Sequence, residues 1–181
     1  MRTLVLVALL LVAPHTLAQD SAAAIARFAE LGILHNNAAI DADNIESIQS
    51  LRISSDVGAQ LTDQDVLHLT TLPRLGHLTI GGVSNVTAAG LAQLVGVSSL
   101  WNLSFRGADL TDDQVAARSG RGGLRTLDLG LNRQMTDAAM PAVAALLSLE
   151  TLTLDSTAIT DPGLAHLAGH PGLQRLSLVQ T

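Results

Sequence analysis

Apolar residues recur along the chain in one phrase, L-x-x-L-x-L. It falls at Ile48/Leu51/Ile53, Leu75/Leu78/Ile80, Leu100/Leu103/Phe105, Leu124/Leu127/Leu129, Leu149/Leu152/Leu154 and Leu173/Leu176/Leu178. The starts step by 27, 25, 24, 25 and 24 residues. Self-similarity at a period in the twenties marks a solenoid, because one unit cannot bury its apolar side alone and stacks on its neighbours instead. Within each phrase the last two apolar positions alternate with polar ones, the period of a short strand with one buried face. Six such strands are expected to stack side by side in parallel.

A second block follows the first as apolar-Thr-Asp, at Leu61-Thr62-Asp63, Leu110-Thr111-Asp112, Met135-Thr136-Asp137 and Ile159-Thr160-Asp161, with Val86-Thr87-Ala88 as the variant. After each block apolar residues stand at i, i+3: Val66/Leu69, Leu91/Leu94, Met140/Val143 and Leu164/Leu167. That spacing predicts a short helix on the outer face, begun by the threonine. A row of carboxylates invites a metal or acid/base interpretation, but a catalytic group has no need to appear once per repeat. A Thr hydroxyl that accepts from the first helical turn, beside an Asp that favours the positive end of the helix dipole, accounts for the pattern.

The predicted architecture is an α/β leucine-rich repeat solenoid of about five and a half repeats, with a parallel concave sheet, short convex helices and an N-terminal helical cap. The unit from Leu152 to Leu164, L-x-L-x-x-T-x-I-T-D-x-G-L, resembles the repeats of ribonuclease-inhibitor-like and cysteine-containing-type leucine-rich repeat proteins. Ala24 to Gly32 is similar to the cap helix of exported bacterial members of that group, and the resemblance spans residues 22–181. It implies protein binding in general and carries no catalytic residues over. Eukaryotic relatives join such arrays to an F-box that recruits a ubiquitin ligase; the leading segment of this chain argues against that role.

That leading segment is Met1-Arg2-Thr3 followed by the apolar run Leu4 to Ala13, too short for a membrane-spanning helix of about 20 residues. Thr16-Leu17-Ala18 puts small residues at −3 and −1 of a cleavage point. Residues 1–18 are therefore expected to be a signal peptide, 19–47 the cap and 48–181 the repeat domain. Export to the periplasm or the extracellular space follows, with no membrane insertion after cleavage. In the cap, Ile25, Phe28 and Leu31 mark one face of a helix from Ser21 that Gly32 ends. Asp41-Ala42-Asp43-Asn44 lacks the glycine and closing glutamate of a calcium loop and is expected to be a plain turn.

Composition narrows the partners. All ten basic residues are Arg, against 16 acidic ones, for a net charge of −6 that becomes −7 once Arg2 is cleaved. Nucleic acid, whose phosphates require a basic stripe, is disfavoured. Aromatics make up only 2% of the chain and cysteine is absent, so the core is aliphatic and neither disulfides nor thiolate chemistry is available. The glycine run after Gln114 has no Lys-Ser/Thr to follow it and is not a phosphate loop. His166 and His170 stand four apart, but a zinc site needs a third ligand that no spacing supplies, so both are expected to be solvent-exposed. No catalytic motif, cofactor site or metal site is expected, and the chain is not read as an enzyme.

The residues flanking the buried leucines are left to form the concave surface. One column reads Ser50, His77, Asn102, Thr126, Thr151, Arg175; the next reads Arg52, Thr79, Ser104, Asp128, Thr153, Ser177; a third holds Arg106, Asp155 and Val179. Most of these are polar residues suited to a solvated strand face. The candidate partner-binding residues are Trp101, Arg106, Asp128, Asp155, Arg175, Arg52 and His77. Trp101, the single Trp, stands where other repeats place Gln49, Gly76, Arg125, Glu150 and Gln174; tryptophan is over-represented among interface hot spots. Opposite charges at Arg106, Asp128, Asp155 and Arg175 can also pair with one another across the strands. The expected function is protein binding by a monomeric scaffold. A glycan is an alternative ligand, and a shortened array without a partner is an alternative account. The sixth unit supplies only a strand, open to edge pairing with another chain.

Overall fold

The computed structural model describes residues 14–95, 97–116 and 123–181. The chain opens with α1 (Pro14–Glu30), whose Ala24 and Phe28 are buried. The helix is already formed at Pro14, the first described residue, seven positions before Ser21. It ends as the sequence predicts: Gly32 adopts a left-handed φ of 66°. Its N–H reaches the Ala29 carbonyl at 3.1 Å, and the Ile33 N–H reaches that of Phe28 at 2.8 Å. These are the paired bonds of a glycine C-cap. Residues 1–13 of the expected signal segment lie outside the described residues, and α1 runs through Ala18 and Gln19, the expected cleavage point.

A hairpin completes the cap. Strands β1 (Leu34–His35) and β2 (Ala38–Ala39) pair antiparallel across Asn36 and Asn37, whose φ values of 52° and 63° suit the left-handed positions of a tight hairpin turn. Asp41 then folds into the expected turn, its carboxylate accepting from the N–H groups of Asp43 and Asn44 at 3.0 Å each.

Six parallel strands follow in sequential order: β3 (Ser50–Ile53), β4 (His77–Ile80), β5 (Asn102–Ser104), β6 (Thr126–Asp128), β7 (Thr151–Thr153) and β8 (Arg175–Ser177). Their register aligns Ser50, His77, Asn102, Thr126, Thr151 and Arg175 in one column and Leu51, Leu78, Leu103, Leu127, Leu152 and Leu176 in the next. The apolar positions of the repeat phrase are buried through Leu154. On β8, the last strand of the sheet, Leu176 is 40% exposed.

Between strands run α2 (Ser55–Gly58), a helical turn filling the longest loop, then α3 (Asp63–Thr70), α4 (Ala88–Val95), α5 (Asp112–Ala116), α6 (Met140–Ala144) and α7 (Asp161–Ala165). Their inner faces bury Val66, Leu69, Leu91, Leu94, Val115, Met140 and Val143. The glycine run after Gln114 lies largely in residues 117–122, outside the described ones.

Of the threonines expected to cap, Thr87 and Thr136 accept from the N–H groups of Gly90 and Ala138, Thr160 makes no such bond, and the aspartates of these blocks reach across to the next repeat. Asp63 accepts from the Thr87 N–H and hydroxyl (2.7 and 2.6 Å), Asp112 from those of Thr136 (2.7 and 2.7 Å), and Asp137 from those of Thr160 (2.7 and 2.5 Å). Each carboxylate therefore ties one repeat to the next. The Thr160 hydroxyl and N–H hold the Asp137 carboxyl below its ordinary value.

Two threonines have no aspartate behind them, and each is served from within its own helix. Ala88 cannot reach Thr111, so the Gln114 side chain accepts from the Thr111 N–H at 3.0 Å and donates back to the Val86 carbonyl at 2.6 Å. Thr62 belongs to the first Thr-Asp block, and Asp65 accepts from its N–H and hydroxyl at 2.8 Å each. Asp65 also receives Arg27 of α1 at 2.6 Å. Burial to 2% exposure would raise the Asp65 carboxyl, but the Arg27 and Thr62 donors outweigh it and hold the group below its ordinary value. The dipole role expected of the aspartates is thus secondary to a ladder between repeats.

Candidate functional site

On a parallel sheet of three- and four-residue strands, side chains that alternate with the buried leucines face away from the core. The seven candidate residues all fall on that face or at its rims, and the structure gathers them into two groups.

The first centres on Arg106, just past β5. Its guanidinium lies 3.6 Å from Asp128 and 3.5 Å from Asp155, on the next two repeats. Asp128 also accepts from the Gly130 N–H at 2.9 Å. Asp155 accepts from the Ser177 hydroxyl at 2.6 Å and the Val179 N–H at 3.0 Å. The Ser177 hydroxyl, then the Val179 N–H, then Arg106 hold the Asp155 carboxyl below its ordinary value. These charges pair across the sheet, as opposite charges so close were expected to; Arg175 does not join them. A hollow of about 800 Å³ opens above this group, bounded by Arg52, His77, Arg106, Asp128 and Leu131.

The second group stands at the opposite rim, before the strands begin. Trp101 is 49% exposed. Its ring meets His77 edge-on at 6.4 Å between centroids. Beneath it is Gly76, where a Cβ would come within 2.6 Å of the indole Nε1. The missing side chain is what lets the indole lie across the preceding repeat. Beside Trp101, Arg125 pairs with Glu150 at 3.2 Å, and a trough of about 970 Å³ runs from Trp101 past this pair to Gln174 and Arg175.

One residue on this surface was not expected from sequence. Leu131, 42% exposed, adopts a φ of 63° at the repeat position held elsewhere by Gly107, Ser156 and Gln180. The signal was available: Gly107 precedes it by one repeat, and glycine at a periodic position points to a left-handed backbone. Asn132, the neighbour of Leu131, is buried as an asparagine ladder position requires. Its side chain accepts from the N–H groups of Ala108 and Leu110 and donates to the carbonyls of Phe105 and Leu129.

The histidine expectation needs correction at His170. It is half-buried: Nε2 lies 3.2 Å from the Leu146 carbonyl, and Nδ1 accepts from the N–H groups of Gly172 and Leu173. It holds the turn into β8, where a hydrogen-bonded ring replaces a bare one. Among the described residues no group of three or more His, Asp or Glu is arranged to hold a metal ion. No helix of the described residues is long and apolar enough to cross a membrane.

No protein-family model matches the chain. No curated protein matches it either. Among solved structures it is similar to internalin C2 from Listeria monocytogenes, with 25% sequence identity and a TM-score of 0.55 over 86% of this chain. The chain spans 63% of the length of that internalin. Sheet order, register, ladder and neighbour together establish a leucine-rich repeat solenoid with an internalin-like fold.

Proposed function

We propose that the chain is an exported leucine-rich repeat scaffold that binds a protein through its concave face. The observation that carries the proposal is Trp101, half in water on a largely polar face, and held in place by Gly76 and His77. A large aromatic fixed in an exposed position supplies contact area at little entropic cost, the property of a binding hot spot. Stacked repeats present such residues on one continuous concave surface. The repeats are of the ribonuclease-inhibitor-like type, the scaffold acts as a monomer, and it has no catalytic role. The likeness to internalin C2 supports the general part of this assignment, a repeat scaffold that binds protein. The test is a pull-down from the extracytoplasmic fraction of the source bacterium. A partner held by the wild type and lost by a folded Trp101→Ala, Arg106→Ala double variant supports it. A partner retained by that variant places the binding surface elsewhere.

A further inference from the structure

The charge on the concave face is opposite in sign to that of the chain. The strands and their rims carry Arg52, Arg106, Arg125 and Arg175 against Asp128, Glu150 and Asp155, a net of +1 in a chain whose net is −6. Two of the four arginines are already neutralised, Arg106 between Asp128 and Asp155 and Arg125 on Glu150. The side chains of Arg52 and Arg175 have no ion pair among the described residues. They stand on β3 and β8, the two ends of the six-stranded sheet, so at strand spacings of about 4.8 Å they lie roughly 24 Å apart.

Between them, on adjacent rungs, the face exposes one apolar group at each rim: Trp101 before β5 and Leu131 after β6. The latter has no account in stability. A left-handed backbone is unfavourable for an L-residue with a Cβ, and a leucine 42% exposed recovers only part of its burial energy. Gly, Ser and Gln occupy the same position in other repeats.

We infer that this face takes an acidic, extended segment of a protein partner. Carboxylates near its ends meet Arg52 and Arg175, and apolar side chains between them rest on Trp101 and Leu131. An extended chain rises about 3.3 Å per residue, so about seven residues span the two arginines. The balanced Arg106, Asp128 and Asp155 group lies midway and suits the neutral part of the segment. A nucleic acid fits less well, because its evenly spaced phosphates meet the carboxylates of Asp128, Glu150 and Asp155 as well as the arginines. The inference rests on concave-face binding and adds the chemistry of what is bound.

The test is selection of a displayed library of random 12-residue peptides on the folded protein, followed by affinity measurement on the recovered peptides as synthetic probes. Recovered sequences are expected to be enriched several-fold in Asp and Glu around an apolar residue. Their affinity is expected to fall at least fivefold in Arg52→Ser and in Arg175→Ser, and to weaken with salt. Leu131→Gly is expected to lower affinity to a similar degree without loss of thermal stability, which a structural role for the leucine would not allow. Recovery of neutral or basic peptides, recovery of none, or affinity indifferent to Arg52, Arg175 and Leu131 overturns the inference. Loss of a captured protein from the Trp101→Ala, Arg106→Ala variant, with no acidic peptide selected, leaves concave-face binding standing and overturns only this step.

Discussion

Asp63 accepts both polar hydrogens of Thr87, a residue 24 positions further on, at 2.7 Å from the N–H and 2.6 Å from the hydroxyl. The carboxylate sits where a side chain on Gly90 would have to be, since a Cβ there overlaps it. Gly163 stands in the same relation to Asp137. At these two rungs the threonine, the preceding aspartate and the glycine are one device; at Asp112 and Thr136 the corresponding residue is Ala139, on a 3-10 turn.

Its test is a double-mutant cycle. Asp63→Ala is expected to cost about 1 kcal/mol by orphaning Thr87, and Gly90→Ala about 1–3 kcal/mol by displacing the carboxylate. Gly90→Ala should cost markedly less in the Asp63→Ala background, read from urea midpoints. Strict additivity would show that the glycine answers to something else.

The cap is fastened to the first repeat by Arg27 on the buried carboxylate of Asp65. Arg27→Ala is expected to cost about 1–3 kcal/mol at neutral pH, because it leaves a charge-bearing group without its main partner. The folded Asp65 pKa lies below its unfolded value. The stabilisation is therefore complete above the unfolded value of about 3.9 and is lost as pH falls through the folded one. Urea titrations from pH 7 down to 3 and below should show the wild type losing more stability than Arg27→Ala at the acid end. Parallel curves would contradict the assignment.

Asn132 satisfies two N–H groups and two carbonyls within the solenoid. Asn132→Ala is expected to cost about 2–3 kcal/mol. Asn132→Thr should cost less, since Thr157, at the same position in the next repeat, covers the Leu154 carbonyl at 2.7 Å. Thermal melts of the two variants give the order.

Gly76→Ala is a local probe of Trp101. The added Cβ would fall 2.6 Å from the indole Nε1, so the ring must move outward. With a single Trp in the chain, a red shift of the emission maximum with an unchanged far-ultraviolet spectrum is expected. An unmoved maximum would show that the ring does not rest on Gly76 in solution.

The register of the sheet was legible in full because the repeat phrase carries three apolar positions in phase, and a slip of one residue would turn every leucine outward. Ser50, His77, Asn102 and their column followed directly. The ladder was not legible because a Thr-Asp pair looks the same whether its carboxylate serves its own helix or the next repeat. Ala88 was the clue: where the aspartate is missing, Gln114 takes over the following threonine. At the concave face, sequence placed Trp101 and Arg106 and left open how they are held. His170 was misjudged because its ring bonds to backbone groups, which no side-chain pattern marks. Leu131 was passed over because leucine in a leucine-rich sequence draws no notice unless its repeat position is compared with Gly107.

Capture of a partner by four forms of the protein tests the central claim most directly: wild type, Trp101→Ala with Arg106→Ala, the convex-face pair Gln64→Ala with Asp113→Ala, and Gly76→Ala. The account predicts that one protein is held by the wild type and by the convex variant, is lost by the first double variant, and is weakened at least several-fold by Gly76→Ala, with all four forms equally folded by circular dichroism. Retention by both concave-face variants together with loss by the convex one would contradict it.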